Sequence, residues 1–185
     1  TKELDKPIIA KETGAGMAAE EAKKLEAAGV KGIDVSGAGG TSFAAVECYR
    51  ARKYKDSFQR MLGDVFWDWG ISTAISVAEV SQTINIPVIA SGGIRDGIDM
   101  AKALALGAKL TSLSQPVLQA AVKGLKETEN VLFLLIEELK NAMFLVGAES
   151  LRNLQKAPLV VMGKTAEWLK MRGFDLENYA RRRWS

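Results

Sequence analysis

The segment Ile89-Ala90-Ser91-Gly92-Gly93-Ile94-Arg95-Asp96-Gly97 is an apolar run that stops at two glycines and hands over to a helix with an acidic cap. Glycines at such a junction let backbone N–H groups approach an anion closely, and the amino end of the following helix adds favourable partial charge. A second junction of the same kind follows at Ser114-Gln115-Pro116, where the proline suits the first turn of a short helix. Two such turns in series have the chemistry to hold a phosphate. The alternative is a pair of tight turns between strand and helix with no ligand. The ligand reading requires both turns to converge on one dianionic group.

A further candidate is Asp34-Val35-Ser36-Gly37-Ala38-Gly39-Gly40-Thr41-Ser42, rich in glycine and hydroxyls. It lacks the Gly-Lys-Ser/Thr ending of a nucleotide-binding P-loop. No helix follows it at once, so it is not the dinucleotide fingerprint either. It reads as a ligand-contacting loop or as a flexible connector. Lys11 closes the first apolar run, where a cation can stabilise a developing anion or ring carbonyl or simply reach solvent. Asp34 carries the same ambiguity at the next run. Trp67 and Trp69 read as packing at a helix start, and Cys48 as incidental.

The composition removes whole classes of chemistry. The 185 residues include no histidine and one cysteine. No Ser-His-Asp triad, Cys-His pair, histidine-ligated metal site or internal disulfide can be built from them. With 48% apolar residues the chain can bury a core of its own. The formal charge of +3 is too small to make nucleic acid the default partner. The one dense basic cluster, Arg181-Arg182-Arg183, reads as a solvated or subunit-contacting tail. No run reaches the roughly 18 apolar residues of a membrane span, and no signal peptide is evident. The single cysteine fits a reducing, cytoplasmic setting, and the opening on Thr1 suggests a piece of a longer protein.

The elements that must position these loops alternate. Strands are expected at 7–11, 30–35, 87–91 and 109–113. Helices are expected at 18–28, 72–83 and 96–106, with Asp96 as N-cap and Asp99 in the first turn. Residues 36–68 read as a long loop. A long helix over 127–146 carries Leu132, Leu135, Ile136, Leu139, Met143 and Val146 on one face. A helical turn, an extended piece at 158–162 and a helix near 164–171 follow. Ala27-Ala28-Gly29-Val30-Lys31 recurs 78 residues later as Ala105-Leu106-Gly107-Ala108-Lys109, each a helix end leading into a strand. Four β/α units in series imply parallel strands with right-handed crossovers, hence a doubly wound sheet or a β/α barrel. Eight units need roughly 200–250 residues or more, so a barrel built from this chain would be half of one. Its two open strand edges would favour self-association or pairing with the missing half.

The chain resembles the C-terminal half of a type 2, flavin-dependent isopentenyl diphosphate isomerase. Ile8-Ile9-Ala10-Lys11-Glu12-Thr13-Gly14, the 34–43 glycine loop, Trp69-Gly70-Ile71-Ser72-Thr73, Ala90 to Asp96, and Leu154-Gln155-Lys156-Ala157-Pro158-Leu159 carry the likeness. Ser72 stands where relatives often have proline. The resemblance implies an α/β fold: a TIM (β/α)8 barrel, here strands five to eight plus C-terminal helices, as one FMN-binding domain over 1–185. It places Lys11 against the flavin ring and Ser36 and Thr41 beside the cofactor. Gly92, Gly93, Ile94 and Arg95 would be at its phosphate, with Ser114 and Gln115 completing the cradle. It implies reduced FMN performing proton transfer between isopentenyl and dimethylallyl diphosphate, NAD(P)H as reductant, and Mg²⁺. The metal carboxylate and substrate-binding residues belong to the N-terminal half, so this half carries no catalytic residue or metal ligand. A tetramer or octamer is implied, without nucleic acid or membrane. The alternatives are another FMN-dependent barrel oxidoreductase and a non-catalytic phosphate-binding half barrel. Hydroxy acid oxidases need a histidine base that is absent here. Inosine monophosphate dehydrogenases need a loop cysteine that Cys48 does not match.

Overall fold

In the computed structural model, which describes residues 4–183, four short parallel strands form one sheet. β1 (Ile9–Lys11), β2 (Gly32–Asp34), β3 (Val88–Ala90) and β4 (Leu110–Thr111) lie side by side in sequence order. Every neighbouring pair is parallel. The helices α1 (Ala19–Ala27), α4 (Thr73–Ser81) and α5 (Gly97–Ala105) occupy the crossovers. Unbroken sequential order is the arrangement of a barrel; a doubly wound sheet reverses at a switch point. The fold is a partial TIM barrel. Ile33, Val35, Val88 and Ala90 of the sheet region pack with Ala22, Val77, Val80 and Leu106 of the crossovers to make the main core. The sequence repeat has a structural meaning, because the amides of Lys31 and Lys109 donate to the Ile8 and Val88 carbonyls at 2.8 Å each. Each hands its new strand to the previous one.

The segment 36–68, expected as a loop, contains two helices, α2 (Phe43–Tyr54) and α3 (Ser57–Val65). Ser42 and Asp56 cap them, accepting from the amides of Ala45 and Gln59. α2 escaped the pattern because it buries only Cys48 and Ala51 and so shows no apolar face, whereas α3 carries Phe58, Met61, Leu62 and Val65 at helical spacing. Gly63 allows the close approach; a Cβ there would lie 2.7 Å from the Cys48 Cβ. The Cys48 thiol donates to Asp64 at 3.0 Å. That contact, reinforced by desolvation, pushes its pKa up and makes it a poor nucleophile. Trp67 packs edge-on to Tyr49 at 5.7 Å between ring centroids. Trp69 departs from the packing expectation: it meets the edge of Phe66 but is mostly exposed.

Beyond β4 come α6 (Gln115–Ala121), α7 (Leu125–Leu145), α8 (Leu151–Leu154), α9 (Gly163–Met171) and α10 (Glu177–Arg181). Only part of the expected α7 stripe is covered. Leu135 is buried, and Leu139 and Met143 pack on Ala101, Leu104 and Leu154, but Leu132, Ile136 and Val146 are exposed. The extended piece at 158–162 joins no strand among the described residues; the Leu159 amide donates to the Tyr179 carbonyl at 2.9 Å. Arg182 is not a free tail residue. It lies over the Tyr179 ring at 4.3 Å and donates to the carbonyls of Ala105 and Gln155. Among the described residues no helix is long and apolar enough to cross a membrane.

The C-terminal helices are tied to the barrel through Glu79, a fully buried carboxylate on α4. It accepts from Trp168 Nε1 at 2.7 Å, from Arg172 at 3.2 Å and from the Ala19 amide at 3.2 Å. Arg172 also pairs with Glu20 on α1. Three elements therefore share one buried charge, and losing it strands an indole N–H and an amide without an acceptor. Glu79→Ala is expected to cost about 3 kcal/mol of unfolding free energy, measured by urea denaturation. A loss within experimental error would show that the network does not hold α9.

Candidate functional site

The carboxyl ends of the strands open onto one cleft of about 660 Å³. Lys11, Ser36, Thr41, Gly92, Gly93, Ile94, Arg95, Ser114 and Gln115 all line it. Both βα turns singled out in the sequence therefore face the same space. Thr13, Phe43 and Ser112 complete much of the wall.

The cleft floor is a seam between the loops after β2 and β3. Parallel pairing continues past the strands, with the Val35 amide donating to Ile89 and the Gly37 amide to Ser91 at 3.1 and 2.9 Å. Thr73 Oγ1 donates to the Gly92 carbonyl at 2.5 Å. Gly92 and Gly93 have φ of 99° and 78°. A Cβ on either would collide with the backbone of Gly37 or Gly39. The glycines are required first by loop-on-loop contact, and the open cleft is a consequence of it.

The expected phosphate donors divide into two groups. Among the described residues, nothing accepts from the amides of Gly93 and Ile94. The Arg95 amide donates to Asp99 at 3.3 Å, and its guanidinium bridges the carbonyls of Gly93 and Gly39 at 2.7 and 2.8 Å. Arg95 therefore staples the seam and offers its backbone N–H elsewhere. The amino end of α5 is also taken, since Asp96 accepts from the Asp99 amide at 2.8 Å. Ser114 precedes α6 without making a capping bond, which leaves its exposed hydroxyl available to the cleft.

On the opposite wall, Lys11 Nζ lies 3.5 Å from Asp34 Oδ2. Asp34 is buried and also accepts from Ser91 Oγ at 2.5 Å and from the Ser36 amide at 3.1 Å. Ser36 is held at φ 36°, unusual for a residue with a side chain. Glu12 was missed in the sequence. Its carboxylate accepts from the amides of Gly14, Ala15 and Gly16 at 2.5, 2.6 and 3.1 Å. An acidic residue just ahead of Gly14-Ala15-Gly16 was the available signal. Partial burial raises its pKa, but the amides of residues 13–16 outweigh that and hold it below the ordinary carboxylate range. Among the described residues, no cluster of three or more His, Cys, Asp or Glu side chains is placed to hold a metal.

The sequence profile of FMN-dependent dehydrogenases matches residues 1–161. The chain belongs to that family. It is 53% identical to an isopentenyl-diphosphate delta-isomerase of Methanothermobacter thermautotrophicus, over 97% of this chain and 50% of the relative. It is likewise 53% identical to the Pyrococcus furiosus protein of that name, over 99% of this chain and 46% of the relative. The chain thus spans about half the length of the curated relatives it matches. Among solved structures, a Pediococcus acidilactici lactate oxidase aligns with a TM-score of 0.65 and 26% identity, over 85% of this chain and 37% of that one. A mandelate oxidase mutant with an FMN adduct aligns with a TM-score of 0.60 and 27% identity, over 83% and 41%. The FMN-dependent family and the cleft agree in kind. Two open amides and a hydroxyl suit a phosphate, and Gly40 keeps the wall low where a Cβ would crowd the Gly93 amide at 2.8 Å.

Two outcomes follow from this geometry. Gly93→Ala places a side chain at φ 78° against Gly39, so it should lower unfolding free energy by about 2 kcal/mol in urea titration. An unchanged midpoint would mean that the seam tolerates a Cβ. The depressed Glu12 pKa means its stabilising contribution is complete above the usual carboxylate range. That contribution fades as pH drops from there through the lower folded value. Glu12→Gln should therefore show a shallower acid limb in a stability–pH series; identical limbs would mean the turn does not hold the charge.

Proposed function

We propose that residues 1–185 form the C-terminal half of a single FMN-binding barrel domain. In this reading the whole protein is an isomerase interconverting isopentenyl and dimethylallyl diphosphate. One observation carries the site: the Gly93 and Ile94 amides and the Ser114 hydroxyl share a single cleft with Lys11. The 53% identity to relatives named for this isomerase supports the reaction.

In this reading the Gly92–Ile94 backbone, Ser114 and Gln115 hold the FMN phosphate, and Arg95 keeps the turn in shape. Lys11 meets the flavin ring from the end of β1, with Ser36 and Thr41 beside it. Reduced FMN, once bound, supplies the proton-transfer chemistry, which suits a chain without histidine. NAD(P)H is the reductant. Mg²⁺ and the substrate diphosphate are held by the N-terminal half, and no catalytic residue is assigned to this one.

The partners are that N-terminal half and further copies of the protein, four or eight in all. Ile9 and Leu110, on the two outer strands, are 54% and 59% exposed, which supports a missing neighbour on each edge. On α3, Phe58, Met61, Leu62 and Val65 fall at helical spacing on one face. Phe58, Met61 and Val65 are 65%, 60% and 76% exposed, which supports self-association. The +3 charge argues against nucleic acid, and a cytoplasmic location without membrane attachment fits the single, unpaired cysteine.

A second reading, an oxidase of the lactate or mandelate type, is favoured by the structural likeness. It needs an imidazole base that these residues do not supply. The full-length protein, reduced in the presence of FMN and Mg²⁺, should convert isopentenyl diphosphate to its allylic isomer. FMN binding without isomerisation would overturn the proposal. Ser114→Ala should weaken FMN binding about fivefold, the loss of one hydrogen bond, with an unchanged unfolding midpoint. Unchanged affinity would remove Ser114 from the cradle.

A further inference from the structure

The cleft-lining cations are Lys11 and Arg95. Arg95 is committed to two carbonyls of the seam. Lys11 donates to the neighbouring Glu12 carbonyl at 3.1 Å and is otherwise turned toward Asp34 at 3.5 Å. Asp34 does not itself line the cleft. It stands behind three residues that do, namely Lys11, Ser36 and Ser91, and contacts each of them. The Ser91 hydroxyl gives Asp34 Oδ1 a short 2.5 Å bond, while Oδ2 faces the ammonium. A buried carboxylate arranged this way divides its charge between a hydroxyl on one side and a cation on the other.

We infer that Asp34 is a positioning residue that sets the net charge Lys11 presents to a flavin ring in the cleft, with Ser91 tuning how much of that charge reaches Lys11. The inference rests on the FMN reading above. Two-electron reduction of a flavin with uptake of one proton leaves it one unit more negative. A cation beside the ring therefore favours the reduced form, and a carboxylate behind that cation offsets the preference. Removing the Asp34 charge unmasks Lys11. Removing the Ser91 hydroxyl leaves Asp34 with Lys11 and the Ser36 amide as its partners, which masks Lys11 further. The two substitutions act on one pair of residues with opposite sign, which loosened packing would not do.

The test measures the midpoint potential and FMN affinity of the full-length holoprotein, with dithionite as reductant and a reference dye. Asp34→Asn keeps the hydrogen-bonding shape and loses the charge. It should raise the ratio of reduced to oxidised affinity about tenfold, a positive shift of about 30 mV for a two-electron couple. Ser91→Ala should shift the potential the other way. In a Lys11→Met background both shifts should disappear. The inference is overturned if Asp34→Asn weakens both redox states equally, if its potential does not move, or if the shift persists without Lys11. Should Asp34→Asn fail to fold, Ser91→Ala decides: a negative shift supports the inference and no shift overturns it. Should Lys11→Met bind no flavin, the signs of the two single variants decide. A parent protein that binds no FMN overturns the FMN reading itself, which is a separate outcome.

Discussion

The contact between the backbones of two loops, 37–39 and 92–93, constrains everything else at the carboxyl end of this sheet. A Cβ on Gly92 or Gly93 would fall on the backbone of Gly37 or Gly39, one on Gly37 would strike Thr73, and one on Gly40 would crowd the Gly93 amide, so the crossing is built from glycine on both sides. The seam is closed by the Gly37 amide on the Ser91 carbonyl, by Thr73 on Gly92 and by Arg95 spanning Gly39 and Gly93. These bonds use up carbonyls. What the seam leaves unpaired is the opposite kind of group, the amides of Gly93 and Ile94. An anion-seeking surface is therefore a by-product of packing two turns together, and it needs no dedicated cationic side chain.

The same economy appears on the lysine wall. Glu12 and Asp34 are both acidic, yet each is consumed locally: Glu12 by a run of amides and Asp34 by a hydroxyl, an amide and Lys11. The walls that face the cleft are thereby left with hydroxyls, amides and a single partly offset ammonium. Such a lining suits a ligand with a dianionic end and a polarisable ring better than a compact, highly charged one.

Much of this was legible because strand-end chemistry is local. Gly92-Gly93, Ser114 and Lys11 announce themselves by residue type and by position after an apolar run, and the parallel order makes their convergence a matter of topology. Other features were hidden for physical reasons. The α2–α3 hairpin buries mainly Cys48, Ala51 and Gly63, so α2 leaves no apolar period to read; the apolar period of α3 (Phe58, Met61, Leu62, Val65) lies on an exposed face. The resemblance puts Arg95 at the phosphate through its backbone; the structure gives that amide to Asp99 and the guanidinium to the carbonyls of Gly93 and Gly39, partners that no local sequence pattern marks. Arg182 read as part of a solvated or subunit-contacting tail because its partners within the chain, the Ala105 and Gln155 carbonyls, are backbone groups that no sequence pattern marks. The role of Glu79 depends on Trp168 and Arg172, about ninety residues away, and only the fold brings them together.

The distribution of exposed apolar surface follows from the same architecture. A crossover helix is buried against the strand it serves, and α4 and α5 are accordingly well covered. Helices that do not lie against the sheet, α3 within the β2–β3 connection and α7 after β4, have no such obligation. The apolar face of α3 and the exposed half of the α7 stripe lie beyond the reach of a four-stranded sheet. With β1 and β4 at its margins, that sheet can saturate its inner strands only. The described residues thus settle the geometry of the cleft-facing loops among themselves while leaving both sheet margins and two helix faces uncovered.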